Sequence, residues 1–436
     1  MMFEAPTLLG LIPMILFIIL VFRKWNPVAA IGASLIVGAI LSGQSITEIS
    51  TSIQDGLGSF LAYVGLIIMA GAGLGKILEE TGVAKRIVSF IMDKVGISTP
   101  KRAIIGTMIA STVLVALLGT LAGANAVIAP VVIPIVASVG LSSSVVAILF
   151  QGAGATGLFL GPFTPPMVTL MELTGLSYLE ILISASIPVS IVLWIVTYFY
   201  AKKILPKSLK EHPYSEEDIV SVSEDDKDSK NRNIVNQSTW AFLITLIGLL
   251  VYGIIIEGGS TFAIFVILST AIVTGLVGRL HPSKLAETFV KGAQPMVWLF
   301  FQFVLFTPFI QYIETMGGFE ALADLLMPFI ESSSSSVMVI LTTIIGIAGI
   351  PGAAVAQSVI MHEMFGGIAT DLAIPMSIWV IVLLVGSQLT SFLYPTGDTL
   401  GAMGIARSND IKNMIVFGFV ASVTVILFVT VRSFFI

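Results

Sequence analysis

Long apolar runs dominate this chain, and ten of them approach the length of a bilayer crossing: 6–22, 28–43, 60–78, 144–173, 179–201, 240–256, 262–279, 297–313, 375–403 and 411–432. Only 11% of the 436 residues are charged. A soluble domain carries about 25%, so a water-facing surface cannot be assembled from what remains. The chain is therefore expected to be an all-α polytopic membrane protein whose main partner is the lipid bilayer. The first run has Glu4 before it and Arg23–Lys24 after it. A secretory signal carries its positive charge first, so this run reads as an uncleaved span. Cysteine is absent, which excludes disulfides, thiol catalysis and Cys-ligated metals. The net charge of −5 leaves no basic surface for nucleic acid.

Two further apolar stretches, 103–139 and 337–368, are interrupted at Gly119-Thr120-Leu121-Ala122-Gly123 and at Gly349-Ile350-Pro351-Gly352. Arms of about 15 residues are short for a crossing. Each pair is expected to be a re-entrant hairpin. With ten spans and two hairpins, 20 of the 21 Lys and Arg fall on one side and only Arg432 on the other. The positive-inside rule makes the rich side cytoplasmic and both termini external. The polar stretch 202–237, with Glu216-Glu217-Asp218 and Glu224-Asp225-Asp226, becomes a cytoplasmic linker.

The chain repeats itself across that linker. Ser45-Ile46-Thr47-Glu48 leads to Gly56 and Gly82, and Pro282-Ser283-Lys284-Leu285 leads to Gly292 and Gly318. Further on, Gly119 meets Gly352 and Pro162 meets Pro395. The reading is a first repeat 1–201 with hairpin 103–139 and broken helix 144–173, and a second repeat 238–436 with hairpin 337–368 and broken helix 375–403. Five spans per half is an odd number, so the second repeat is upside down relative to the first. Inverted repeats of this kind are typical of secondary transporters.

Each broken helix carries proline near its middle, in Gly161-Pro162-Phe163-Thr164-Pro165-Pro166 and in Tyr394-Pro395-Thr396-Gly397-Asp398-Thr399. Proline removes a donor and clashes with the preceding turn, so both helices must open. Open backbone survives at membrane depth only where it is buried in protein or lines a cavity. Freed amides attract anions and freed carbonyls hold cations. The expected substrate contacts are therefore Gly119, Thr120, Gly123, Asn125, Gly161, Thr164, Gly352, Gln357, Ser358, Thr396 and Thr399. The bland reading of the same residues is a proline kink with glycine packing faces. Asp398, with Asn125 and Thr396, is the candidate for coupling to H⁺ or Na⁺, since an ionisable group at that depth is costly unless used. Its bland reading is a helix cap after Gly397. His362 and Glu363 read either as proton-relay groups or as solvated ones. Gln151, Gln302 and Gln388 read either as substrate contacts or as interhelical hydrogen-bonding groups. Glu172 and Glu180 flank an outer loop and read as solvated. No cofactor is expected beyond the coupling ion.

The stretch from Met69 to Gly82, Met69-Ala70-Gly71-Ala72-Gly73-Leu74-Gly75-Lys76-Ile77-Leu78-Glu79-Glu80-Thr81-Gly82, followed by Ala84-Lys85-Arg86-Ile87, is similar to the gluconate permease family. The order of hairpin, broken helix and Ser184-Ala185-Ser186-Ile187-Pro188 resembles the DcuC-type C4-dicarboxylate carriers. Both belong to the ion transporter superfamily. Where the dicarboxylate/Na⁺ symporters of that superfamily carry Ser-Asn-Thr, the nearest residues here are Gly123-Ala124-Asn125-Ala126. The resemblance implies an elevator-type inner-membrane carrier, often a homodimer. The expected activity is secondary active transport of a small organic anion (a carboxylate, sugar acid or amino acid) driven by H⁺ or Na⁺. A Na⁺/H⁺ antiporter is the alternative, while a membrane-embedded enzyme or a channel fits less well. A single cysteine replacing Lys85 should react with a membrane-impermeant maleimide only from the cytoplasmic side. Reaction from outside would remove the hairpin topology.

Overall fold

The computed structural model describes residues 5–215, 229–256, 262–331, 334–349, 353–394 and 396–435. Among them every regular element is a helix, as backbone in hydrocarbon demands when no sheet closes on itself. The first half runs α1 (Ile12–Phe22), α2 (Pro27–Ser42), α3 (Ile46–Leu57), α4 (Phe60–Glu80), α5 (Val83–Val95), α6 (Pro100–Leu118), α7 (Leu121–Ser138), α8 (Ser143–Leu160) and α9 (Pro165–Thr174). A short α10 (Tyr178–Ile181) passes through one π turn into α11 (Ile187–Glu211). Then follow α12 (Ser229–Ile255), α13 (Ala263–Val277), α14 (Pro282–Ala293), α15 (Val297–Thr315), α16 (Gly318–Glu331), α17 (Ser335–Ile347) and α18 (Ala354–Asp371). The chain ends with α19 (Met376–Gln388), α20 (Thr390–Leu393), α21 (Gly397–Ile405) and α22 (Ile411–Ser433). Among the described residues, 9 helical stretches are long and apolar enough to cross a membrane, and shorter apolar helices accompany them.

Helix order recurs across the polar segment. The amphipathic α3 and α14 are each 12 residues long and start at Ile46 and Pro282. Each half then proceeds through a long helix, a second amphipathic helix, a helical pair, a buried helix, a break and a short helix. Local chemistry sets these starts. Ser45 and Glu48 close a capping box on α3, each bonding the other's backbone N–H. His281 caps α14, with Pro282 in its first turn, where the missing N–H costs nothing.

The arms of the first interrupted stretch are longer than the expected 15 residues. α6 has 19 and α7 has 18, because Leu121, Ala122 and Gly123 are helical and the interruption narrows to Gly119 and Thr120. At 1.5 Å per residue each arm reaches about 28 Å, close to the thickness of the hydrocarbon core. Length therefore does not mark these arms as re-entrant, and that reading rests on the charge distribution. Gly119 makes the reversal: it ends α6 in the left-handed region at φ 70°, a conformation that a Cβ disfavours.

The chain forms two compact units that interleave its halves. One comprises Met1–Met69, Pro295–Thr390 and Ile426–Ile436, and the other Ala70–Gln294 and Ser391–Val425. In the first, α15 packs on α2 and α3, and α17 and α18 pack on α19. Phe17, Phe306 and Phe309 form an aromatic cluster there, with centroids 5.6–6.0 Å apart. In the second unit α8 is the hub, packed by α6, α7, α11 and α21. All but two of its 18 residues are buried. Its glycines make the close packing feasible. A Cβ on Gly154 would lie 2.7 Å from Leu121 and Ser111, and one on Gly157 would lie 2.7 Å from Val115.

Polar contacts tie the α21–α22 connection to the end of α11. Asp410 caps α22, accepting from the Asn413 backbone N–H at 3.1 Å and its Nδ2 at 2.6 Å, with His212 Nε2 3.8 Å away. Tyr214 donates to the Ala406 carbonyl at 3.0 Å. Burial pushes the Asp410 carboxyl up, and the Asn413 hydrogen bonds together with His212 outweigh it, so its pKa is lowered.

Two outcomes follow, both readable as thermal unfolding in detergent. Gly157→Val should destabilise by about 1–3 kcal/mol through overpacking, whereas Gly248→Ala, with no neighbour within 4 Å of its Cβ, should not. The lowered Asp410 pKa gives stability that is present above the unfolded-state value and is lost as pH falls through the folded-state value. Asp410→Asn should therefore lower the melting temperature at neutral pH and remove that part of the acid sensitivity.

Candidate functional site

Three of the singled-out segments lie in the same unit: the tip of the α6–α7 pair, the α8–α9 break and the α20–α21 break. They resolve the problem of opened backbone in different ways.

At the first break the freed carbonyls are answered from within. Thr164 Oγ1 donates to the carbonyls of Leu158 at 2.5 Å and Gly161 at 2.9 Å. Tyr178 Oη donates to that of Leu160 at 2.8 Å. On the far side, Pro165 and Pro166 occupy the first two positions of α9 and bring no N–H at all. Thr164 is fully buried, and a Cβ on Gly161 would meet the Ala116 main chain. Gly161 and Thr164 thus form a sealed kink and present no free polar group to a ligand.

The tip and the second break are open. α7 begins after Thr120 with no side-chain cap, and α21 begins after Thr396 with no side-chain cap. A helix leaves its first-turn amides without intrahelical partners. Here those amides belong to Leu121, Ala122 and Gly123 and to Gly397, Asp398 and Thr399. The two helices touch: a Cβ on Gly401 would lie 3.5 Å from that of Ala122. Gly123, Gly397 and Asp398 are exposed, and nothing lies within 4 Å of a Cβ on Gly397. Thr396 Oγ1 is buried with no protein partner among the described residues. The first turn of α7 thus packs against the second turn of α21, and both helices start with uncapped amides, with small residues and a hydroxyl nearby.

Asp398 is the second residue of α21, and Thr396 is the cap, so the bland reading of Asp398 as the cap does not hold. Asn125 is fully buried and engaged on both sides. Its Oδ1 accepts from Ser111 at 2.7 Å, and its Nδ2 donates to the Phe150 carbonyl at 3.2 Å. It braces α6, α7 and α8. Thr399 is buried and donates to the Ser391 carbonyl at 2.6 Å.

Gln357 and Ser358 belong to the other unit. Gln357 Nε2 donates to Gly346 at 3.3 Å, Ser358 Oγ donates to Val355 at 2.7 Å, and both residues are buried. Gly352 and Pro395 lie outside the described residues. His362 is half-buried and accepts from Trp379 Nε1 at 3.2 Å, and Glu363 is half-buried as well, so neither is simply solvated. Glu172 and Glu180 are exposed. Of the three glutamines, Gln151 donates to the Ser391 carbonyl at 3.3 Å and Gln388 to Ser387 at 3.3 Å, while Gln302 Nε2 is buried without a partner among the described residues. The caps on the α8 carbonyls by Thr164 and Tyr178 had no signature in the sequence beyond the prolines themselves.

Residues 7–300 match the model of the citrate transporter family, CitMHS. The chain belongs to this family. It is similar to a gluconate permease of Zymomonas mobilis, 41% identical over 78 residues that make up 17% of each chain. It is also similar to a gluconate permease of Bacillus licheniformis, 30% identical over 178 residues, 40% of this chain and 38% of that one. The Gnt-II system L-idonate transporter of Escherichia coli is 27% identical over 217 residues, 48% of each chain. The match thus spans less than half the length of each of these curated relatives. Among solved structures, the YdaH transporter of Alcanivorax borkumensis shares the fold, with a TM-score of 0.58 at 14% identity over 97% of each chain. The resemblance to gluconate permeases is borne out, and the chain is a multi-pass membrane protein.

Proposed function

We propose that this protein is a secondary active carrier that moves a small organic anion across the cytoplasmic membrane together with H⁺ or Na⁺. The observation that carries the proposal is the packing of α7 and α21, two helices with uncapped starts, through Ala122 and Gly401, with exposed Asp398 in the first turn of α21. Amides at such ends attract a carboxylate without any lysine or arginine in the membrane. The Asp398 carboxylate works against that attraction, because two anions held beside each other repel. A cation at Asp398 removes the repulsion. Anion and cation then favour each other's binding, which is the thermodynamic content of coupling. Gly119, Thr120, Gly123, Thr396 and Thr399 shape this site, and Asn125 holds it from behind.

The relatives indicate the class of cargo. Gluconate and idonate are sugar acids and citrate is a tricarboxylate, so a carboxylate bearing hydroxyls is the first cargo to test. The recurring helix order supports two inverted repeats, 1–201 and 238–436, joined by a cytoplasmic linker at 202–237, with both termini outside. An elevator movement and a homodimeric scaffold accord with the superfamily resemblance.

Uptake of labelled gluconate, idonate and citrate into proteoliposomes, under imposed pH or Na⁺ gradients, tests the proposal. Asp398→Asn should lose gradient-driven accumulation by about tenfold or more while retaining solute exchange at equilibrium. Unchanged accumulation in a folded Asp398→Asn protein would remove Asp398 from coupling. Na⁺/H⁺ exchange that needs no organic solute would replace the carrier with an antiporter.

A further inference from the structure

We infer that Gln151 is a positioning residue of the transport site, fixing the second break through the main chain of Ser391. The inference rests on the carrier reading given above. Gln151 lies on the hub helix α8 and is 1% exposed. Its Nε2 donates to the Ser391 carbonyl at 3.3 Å, on the last helical turn before the break. Thr399, on the opposite side of the break, donates to the same carbonyl at 2.6 Å and reaches the Tyr394 carbonyl at 3.4 Å. One carbonyl therefore joins three elements: α8, α20 and the first turn of α21. Asp398 is the residue immediately before Thr399, so the position of this turn is the position of the carboxylate.

The other end of the amide distinguishes this bond from ordinary interhelical adhesion. Gln151 Oε1 is buried and has no protein partner among the described residues. The amide cannot turn round to satisfy it, because oxygen would then face the Ser391 carbonyl oxygen. An orphaned buried acceptor is a cost that a bond serving stability alone would not carry, since an apolar side chain of the same shape avoids it. The cost is explained if the N–H is required to hold the break. The neighbouring main chain shares the task. The carbonyl of Phe150, one residue earlier, accepts from Asn125 and so holds the hairpin tip. Adjacent residues of α8 thus anchor both halves of the proposed site.

Two substitutions and two readouts test this. Gln151→Leu keeps the bulk and removes the donor. Gln151→Glu can donate to Ser391 only when protonated, so its competence should depend on acid. Uptake by each variant is expressed relative to wild type at the same pH. Gln151→Leu should fall by about tenfold at every pH. Gln151→Glu should be equally weak in mildly alkaline buffer and recover most of that loss in mildly acid buffer. The second readout needs no cargo. In this cysteine-free chain, Leu400 on α21 is exposed, so Leu400→Cys supplies a single thiol for maleimide labelling. Its labelling rate should change severalfold when Gln151→Leu is added. Gln151→Leu uptake within twofold of wild type, a Gln151→Glu ratio that is flat with pH, or an unaltered labelling rate would each overturn the inference. If Gln151→Leu does not fold, the pH ratio of Gln151→Glu decides alone. If wild type moves no organic anion, the carrier reading fails while the labelling still judges Gln151.

Discussion

Main-chain N–H and C=O groups cut off from water must find partners, and that requirement organises this molecule more than any side-chain contact. Continuous helices meet it by themselves. The breaks do not, and each is handled differently. The end of α8 is closed by Thr164 and Tyr178, which supply hydroxyls to the carbonyls of Leu158, Leu160 and Gly161. The starts of α7 and α21 are left with first-turn amides that no side chain caps. A sealed end is architecture. An unsealed one beside open space is an invitation to a ligand of opposite charge.

The hub helix holds the elements of the proposed site together. α8 is buried around nearly its whole circumference, and its glycines let α6, α7 and α11 approach the backbone closely. Packing of that kind resists small displacements, because interiors this dense do not deform continuously. From this rigid element Phe150 and Gln151 reach the hairpin through Asn125 and the second break through Ser391. Parts of the chain separated by more than 200 positions are thereby held to one reference.

Much of this was legible before the structure. Apolar runs located the helices, and the prolines at 162 and 165–166 located the first break, because both signals act through the nearest few residues. The glycine at 119 located the reversal for the same reason. What was not legible was how each polar group pairs once the helices are packed. Asn125 read as a ligand contact because it lies beside the glycine-rich tip, but Ser111 and the Phe150 carbonyl engage its amide. Thr164 read as a ligand contact because it sits in a break, yet its hydroxyl is spent on the helix just before it. The arms of the first interrupted stretch read as short because Gly119 and Gly123 bracketed the interruption, whereas Leu121 and Ala122 are strong helix formers and α7 runs through Gly123.

The paired prolines that open α9 set it apart electrically from α21. A helix whose first two residues lack amide hydrogens has lost much of the partial positive charge that its start would otherwise display. Its counterpart α21 begins with glycine, aspartate and threonine and keeps every one of those hydrogens. Two segments alike in place and length are thus a muted pole and a live one. Of these two helix starts, only that of α21 keeps the hydrogens that favour a neighbouring negative charge.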